Sequence, residues 1–229
     1  MKNSKIISIA LVCCLIVVYV LTHTIFKKDT SSVEVPLRSD AAKATYTIVA
    51  FGDSLTAGYG LPLAESYPAQ LEEKLKQQGF SVKVINAGVS GETSKGNTER
   101  ASFIKSQNPD MVILGIGGND ALRGLPVSEM KRNMENTIQL LQRGEKKPKI
   151  LLLQMQAPLN LGFQYKQEFD AVYTTLASVY GLPLVPFLVS DVFLDTERML
   201  PDQIHPNKEG YKALIDTYLF ATVVKEIEK

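Results

Sequence analysis

The sequence holds only two cysteines, Cys13 and Cys14, and both fall within one apolar run near its start. The remainder therefore folds without a disulfide, and cysteine usage gives no reading of its redox compartment. Histidine is equally scarce. His23 lies near the end of the same apolar run, which leaves His205 as the single imidazole for the rest of the chain. An excess of one charge is missing too: 25 Lys+Arg stand against 24 Asp+Glu, a net charge of +1. The basic stripe that marks a nucleic-acid partner is therefore absent. No Gly-x-Ser-x-Gly elbow occurs, which disfavours an α/β-hydrolase, and no repeat of solenoid length is found. What is present is an ordinary globular composition, 45% hydrophobic and 21% charged.

The 229 residues divide into three expected parts: an N-terminal membrane anchor or signal segment over 1–26, a polar linker over 27–44 and a folded domain over 45–229. Residues 6–26 carry no Asp, Glu, Lys or Arg. At about 1.5 Å per helical residue, such a run is long enough to cross a hydrocarbon core of roughly 30 Å. It ends in Phe26-Lys27-Lys28 with no small-x-small triplet beside it, so an uncleaved N-terminal membrane helix is expected rather than a removed signal. Secretion after cleavage is the alternative. Lys2, Lys5 and the free amino terminus, with Asp29 on the far side, favour a cytoplasmic N-terminus and an extracytoplasmic domain. Residues 27–44, polar and containing Pro36, read as a linker, and 45–229 as the folded domain.

From Thr45 onward, short apolar runs alternate with amphipathic stretches, the βαβ pattern of a parallel sheet. Strands are predicted over 46–51, 82–85, 111–116, 150–155 and 182–187. The intervening helices include one capped by Ser66 and stopped by Gly79, and one over 93–107 with a thin apolar face. Met130, Met134, Ile138 and Leu141 mark a third, and Tyr165, Phe169, Val172, Tyr173, Leu176 and Tyr180 a fourth. The last carries Tyr211, Leu214, Ile215, Tyr218 and Leu219 on one face. Aromatic and Met positions at this spacing read as core rather than cofactor contacts. The fold class is α/β: five parallel strands with helices on both sides, a three-layer α/β/α sandwich.

Ligands of an open parallel sheet bind outside the carboxyl ends of its strands, and the least ordinary residues of the chain fall there. Strand one runs into Gly52-Asp53-Ser54, strand two into Asn86-Ala87-Gly88, strand three into Gly117-Gly118-Asn119-Asp120, and strand five is followed by Asp202-Gln203-Ile204-His205-Pro206. A serine alcohol needs a base to take its proton as it attacks, and an unperturbed imidazole, pKa about 6.5, suits that task near neutral pH. Ser54, His205 and Asp202 can thus serve as nucleophile, base and the carboxylate that orients the base. Activity is then expected to rise between about pH 6 and 7.5. Pro206 holds His205 to extended backbone. An oxyanion needs donors already in place, and the Ser54 N–H, the Gly88 N–H and the Asn119 side-chain amide are candidates. Each has a plainer reading: His205 as a helix-capping loop histidine, Gly88 as a turn glycine, Gly117-Gly118-Asn119 as a tight loop. Asp53 is read as structural, tying down the turn through backbone N–H groups. Ser90 and Ser94 are weaker candidate nucleophiles, since neither directly follows a strand.

The segments GDSLTAGYG, NAGVSGET, GGNDALRG and DQIHPN resemble, in order and spacing, the four blocks of the SGNH (GDSL) hydrolase family. The resemblance covers about residues 45–220, and Met155 to Gly162 is similar to the arylesterase and thioesterase/lysophospholipase branch. It implies a flavodoxin-like fold, no metal and no cofactor. It also implies ester or thioester hydrolysis through an acyl-enzyme on Ser54, with Asp202 and His205 as the acid–base pair and Ser54, Gly88 and Asn119 as oxyanion donors. Small acyl esters, thioesters and, for a membrane-tethered domain, lysophospholipids are the expected substrates. A carbohydrate O-deacetylase on the same site and a non-catalytic binding module are the alternatives. A metallophosphoesterase built on Asp53, Asn119, Asp120, Asp202 and His205 would use a single histidine where such sites draw on several.

Overall fold

A strand covered on both faces must be apolar along its whole length, and β1 (Tyr46–Gly52) has Ile48, Val49, Ala50 and Phe51 wholly buried. In the computed structural model, which describes residues 45–187 and 195–229, β1 lies inside a five-stranded parallel sheet. Its partners are β2 (Val82–Gly88), β3 (Met111–Gly115), β4 (Lys149–Gln154) and β5 (Leu184–Pro186). The order is β2-β1-β3-β4-β5, so the chain reverses its direction of progress beside β1. That switch point opens a crevice at the carboxyl ends of β1 and β3. The register brings Gly52 level with Gly88 on one side and Gly115 on the other. The expected anchor or signal segment over 1–26 and the linker over 27–44 lie outside the described residues. Among the described residues, no helix is long and apolar enough to cross a membrane.

The helices are α1 (Ser54–Ala57), α2 (Tyr67–Gln77), α3 (Ser94–Ser106), α4 (Gly118–Leu122), α5 (Val127–Leu141), α6 (Phe163–Tyr180), α7 (Lys208–Leu214) and α8 (Phe220–Glu228). Packing groups α3, α5 and α6 on one face of the sheet, and α2, α7 and α8 on the other. The π-helical turn Ile215–Leu219 joins α7 to α8, so the last helical stretch runs further than its apolar stripe predicts.

Several boundaries differ from the sequence reading, each for a local reason. β2 continues three residues past 85 because Asn86, Ala87 and Gly88 keep pairing with β1. β5 is only three residues long, an edge strand paired on one side. Ser66 does not cap α2; its hydroxyl donates to the Leu63 carbonyl at 2.7 Å and closes the preceding 3₁₀ turn. The thin apolar face of α3 is supplemented by polar packing on α5, where Thr98 Oγ1 donates to the Asn133 carbonyl at 2.9 Å and lies 3.0 Å from Thr137 Oγ1.

Among the described residues, Tyr67, Tyr173 and Tyr211 are wholly buried, and the hydroxyl of each finds a partner near the carboxyl edge of the sheet, as a buried phenol requires. Tyr173 donates to the Ile116 carbonyl at 2.9 Å and Tyr211 to the Leu55 carbonyl at 2.8 Å. Tyr67 meets Thr56 Oγ1 at 3.4 Å. Burial pushes all three phenols upward, so they remain neutral donors. They brace the segments just beyond β1 and β3 from beneath.

Candidate active site

The turn from β1 into α1 admits little but the residues it has. A Cβ on Gly52 would lie 2.3 Å from the Gly115 carbonyl oxygen and 2.3 Å from Thr56 Oγ1. Asp53 caps α1, its Oδ1 accepting from the Leu55 N–H at 3.0 Å, which is the structural role expected of it. Gly58, left-handed at φ 78°, ends the helix after one turn. Ser54 is thereby left half-buried at the first position of α1, its hydroxyl at the sheet's carboxyl edge.

His205 reaches the same point from the far end of the chain. Its Nε2 lies 2.9 Å from Ser54 Oγ and its Nδ1 2.7 Å from Asp202 Oδ2. The other carboxylate oxygen of Asp202 accepts from the N–H groups of Ile204 at 2.9 Å and His205 at 3.0 Å. Burial nudges the Asp202 carboxyl up, but these bonds from the His205 ring and the two N–H groups outweigh it and hold the group below its ordinary value. The loop is closed by the Leu200 N–H donating to the His205 carbonyl at 2.8 Å, and Gln203 takes the left-handed turn at φ 55°. Helix capping falls to Asn207, which accepts from the Gly210 N–H at 2.9 Å, so the helix-cap reading of His205 does not hold. The ring of Tyr59 lies 4.7 Å from that of His205.

Gly88 and Asn119 flank the serine from β2 and α4. A Cβ on Gly88 would stand 2.1 Å from the Ala57 nitrogen. The glycine is thus required by α1 packed against it, and not by the turn reading, since it ends β2 in extended pairing with Gly52. Its N–H donates to Asn86 Oδ1 at 3.0 Å. Asn119 is the second residue of the short helix α4 rather than part of a loop, and its Nδ2 donates to Asp53 Oδ2 at 3.2 Å. Asp53 is 1% exposed. Burial raises its carboxyl to about 6, against the pull of the Leu55 N–H, Asn119 and His205.

The other candidates are occupied elsewhere. Ser94 is buried, with its N–H and hydroxyl each 2.7 Å from a carboxylate oxygen of Asp120, and Ser90 lies on the exposed turn after β2. Among the described residues, no three His, Cys, Asp or Glu side chains gather as a metal ion would need. One contributor was not visible in the sequence. Arg100 of α3 donates to the carbonyls of Ala87 at 3.1 Å and Gly52 at 3.4 Å, pairs with Glu92, and lies over the Phe51 ring at 4.9 Å. It ties the ends of β1 and β2 together, through contacts that no local pattern announces.

Residues 50–213 match the model of the GDSL-like Lipase/Acylhydrolase family. The chain belongs to this family. Over 176 residues it is 34% identical to the thioesterase/protease/lysophospholipase of Escherichia coli, covering 76% of this chain and 82% of that one. Over 173 residues it is 33% identical to the arylesterase of Vibrio mimicus, covering 75% and 86%. Among solved structures it resembles the psychrotrophic esterase EstA from Pseudoalteromonas sp., inhibited by monoethylphosphonate, with a TM-score of 0.74 at 29% identity over 80% of this chain and 99% of that one. The fold neighbour and the family model agree with the five-stranded parallel sheet and with the resemblance carried by the four sequence blocks.

Proposed function

We propose that this GDSL-family member hydrolyses carboxylic esters and thioesters through an acyl-enzyme on Ser54. The observation that carries this reading is the unbroken line from Asp202 Oδ2 through the His205 ring to Ser54 Oγ, with links of 2.7 and 2.9 Å. As Ser54 Oγ attacks the acyl carbon, its proton passes to His205 Nε2. Asp202 fixes the tautomer and stabilises the imidazolium. The same proton then goes to the departing alkoxide or thiolate. Water repeats the sequence on the acyl-enzyme, with His205 again as base, and frees the acid.

The tetrahedral oxyanion is received by the Ser54 N–H, the Gly88 N–H and Asn119 Nδ2. In the free enzyme the Gly88 N–H is held by a neutral amide oxygen, that of Asn86. A charged oxygen forms roughly twice as strong a bond, so the oxyanion competes well for that donor. Asn119 uses one of its two amide hydrogens on Asp53, which leaves the other for the oxyanion.

The activities for which the relatives are named, thioesterase, lysophospholipase and arylesterase, support acyl esters with a single chain as substrates, including lysophospholipids. A carbohydrate O-deacetylase would use the same steps on a sugar leaving group. The apolar side chains Leu122, Leu159 and Phe163, exposed at this edge, favour the acyl reading. The apolar run over 6–26 supports a membrane anchor with the domain on the extracytoplasmic side. The test is turnover by the detergent-solubilised full chain on p-nitrophenyl esters of rising chain length, acyl thioesters, lysophosphatidylcholine and acetylated sugars. Cleavage of the lipid-like esters and thioesters is expected. Cleavage of sugar acetates alone would replace the reading with a deacetylase, and no cleavage of any of them would favour a binding module.

A further inference from the structure

Apolar side chains left in water tend to be scattered singly, whereas their concentration on one surface marks an interaction site. Among the described residues, nine large apolar side chains are exposed, and only Phe103 and Val179 lie away from the candidate active site. Tyr59 and Leu63 follow the nucleophile helix α1, and Val89 follows Gly88. Leu122 ends the helix that carries Asn119, and Ile204 precedes His205. Leu159 and Phe163, 73% and 77% exposed, stand on the segment after β4. That segment meets the turn after α4, where Leu161 comes within 3.7 Å of the position a Cβ on Gly124 would take. Every one of these seven belongs to the carboxyl edge of the sheet, so they form an apolar rim on the edge that carries Ser54.

We infer that this rim is a docking surface for a lipid bilayer, which seats the mouth of the site on the membrane. The inference builds on the acyl-ester and membrane-anchor readings proposed above, and the chain's own layout argues for the occupant. The uncharged run over 6–26 would hold the protein at a bilayer, and residues 27–44 join it to Tyr46 at the amino end of β1, the edge opposite the rim. A domain of this size is about 40 Å across, from a radius of gyration of roughly 16 Å. Those linker residues can extend to about 60 Å at roughly 3.3 Å each. The linker is thus long enough for the domain to turn its far edge back onto the membrane. A short linker would have left the rim facing away. Aromatic and aliphatic side chains on loops are what insertion into the headgroup boundary uses. A substrate with one acyl chain would then leave the bilayer directly into the crevice beside Ser54.

The absence of tryptophan from the chain gives this a background-free test. F163W on the rim and F103W on the amino-edge half of α3 are each reconstituted as full chains into phosphatidylcholine/phosphatidylglycerol vesicles. The F163W emission is expected to shift to the blue and to lose most of its intensity when the lipid is brominated, while F103W emits as in water and is quenched by iodide. Water-like emission from F163W would overturn the proposal. Equal quenching of both by brominated lipid would also overturn it, since the domain would then contact the bilayer without a preferred face. Emission reports position and not turnover. A failure of the hydrolase reading is read separately, from the native chain on a short soluble ester.

Discussion

Gly88→Ala should damage the site more than the fold. Gly88 is not among the residues with positive φ, so alanine is compatible with its own backbone and the effect comes from contact alone. The new methyl would lie 2.1 Å from the Ala57 nitrogen, 2.7 Å from the Ala57 Cα and 2.7 Å from the Thr56 carbonyl carbon. All three are backbone atoms, so no side chain can swing aside. Relief requires the end of β2 or all of α1 to retreat by about 1 Å, a forced overpacking that costs roughly 1–3 kcal/mol. Since α1 carries Ser54, whose hydroxyl sits 2.9 Å from His205 Nε2, the same retreat breaks the reacting geometry. A misplacement of about 1 Å is worth roughly 10²-fold in rate. The comparison variant is Gly79→Ala, where φ is +85° and nothing lies within 4 Å of the new methyl. It should lose about 1 kcal/mol from backbone strain and keep its activity. The assays are kcat/KM on p-nitrophenyl butyrate and urea unfolding. Native activity in Gly88→Ala, or an equal loss in Gly79→Ala, would refute the reasoning.

Asp202→Asn should lower kcat by about 10²–10⁴-fold with little change in KM, because a neutral amide cannot stabilise the imidazolium; steady-state kinetics on a variant with native circular dichroism checks it. Asp53, raised to about 6 by burial, keeps a proton in the folded state that the unfolded chain releases near pH 4. It therefore subtracts stability as pH rises from about 4 to about 6, by roughly 3 kcal/mol in full. The stability difference between Asp53→Asn and the native chain should move in the variant's favour across that window, as urea melts at pH 4 and pH 7 would reveal. Arg100→Ala leaves Glu92, with only 10% of its side chain exposed, without its guanidinium and releases the carbonyls of Ala87 and Gly52. A loss of about 1–3 kcal/mol is expected by urea unfolding, and Arg100→Lys should restore only part of it, since an ammonium cannot reproduce the fork.

How much of this could be read from the sequence depended on whether the determining contacts were local. The centres of β1, β3 and β4 announced themselves as unbroken apolar runs because both faces of these strands are covered. The last residues of β2 did not, since Asn86-Ala87-Gly88 is extended only by pairing with β1. Helix α4 was missed because Gly117-Gly118-Asn119 has the composition of a turn, yet Gly118 opens a helix. At the site, Ser54, Asn119, Asp202 and His205 stood out because each follows or lies beyond a strand end. The structure brings them to one edge from positions up to 151 residues apart. What stayed hidden was the reason for each neighbour. The collision that reserves Gly88 for glycine, the hold of Asn86 on its N–H and the Arg100–Glu92 tie all depend on packing between elements distant in sequence.

Every step of the proposed hydrolysis depends on Ser54 as the nucleophile. The measurement is covalent labelling of the detergent-solubilised full chain by a fluorophosphonate, with the modified peptide located by mass spectrometry and turnover of a p-nitrophenyl ester followed alongside. One adduct on Ser54, formed as activity disappears, with labelling and turnover both lost in Ser54→Ala, is the predicted result. An adduct on another serine, or undiminished turnover in Ser54→Ala, would contradict it.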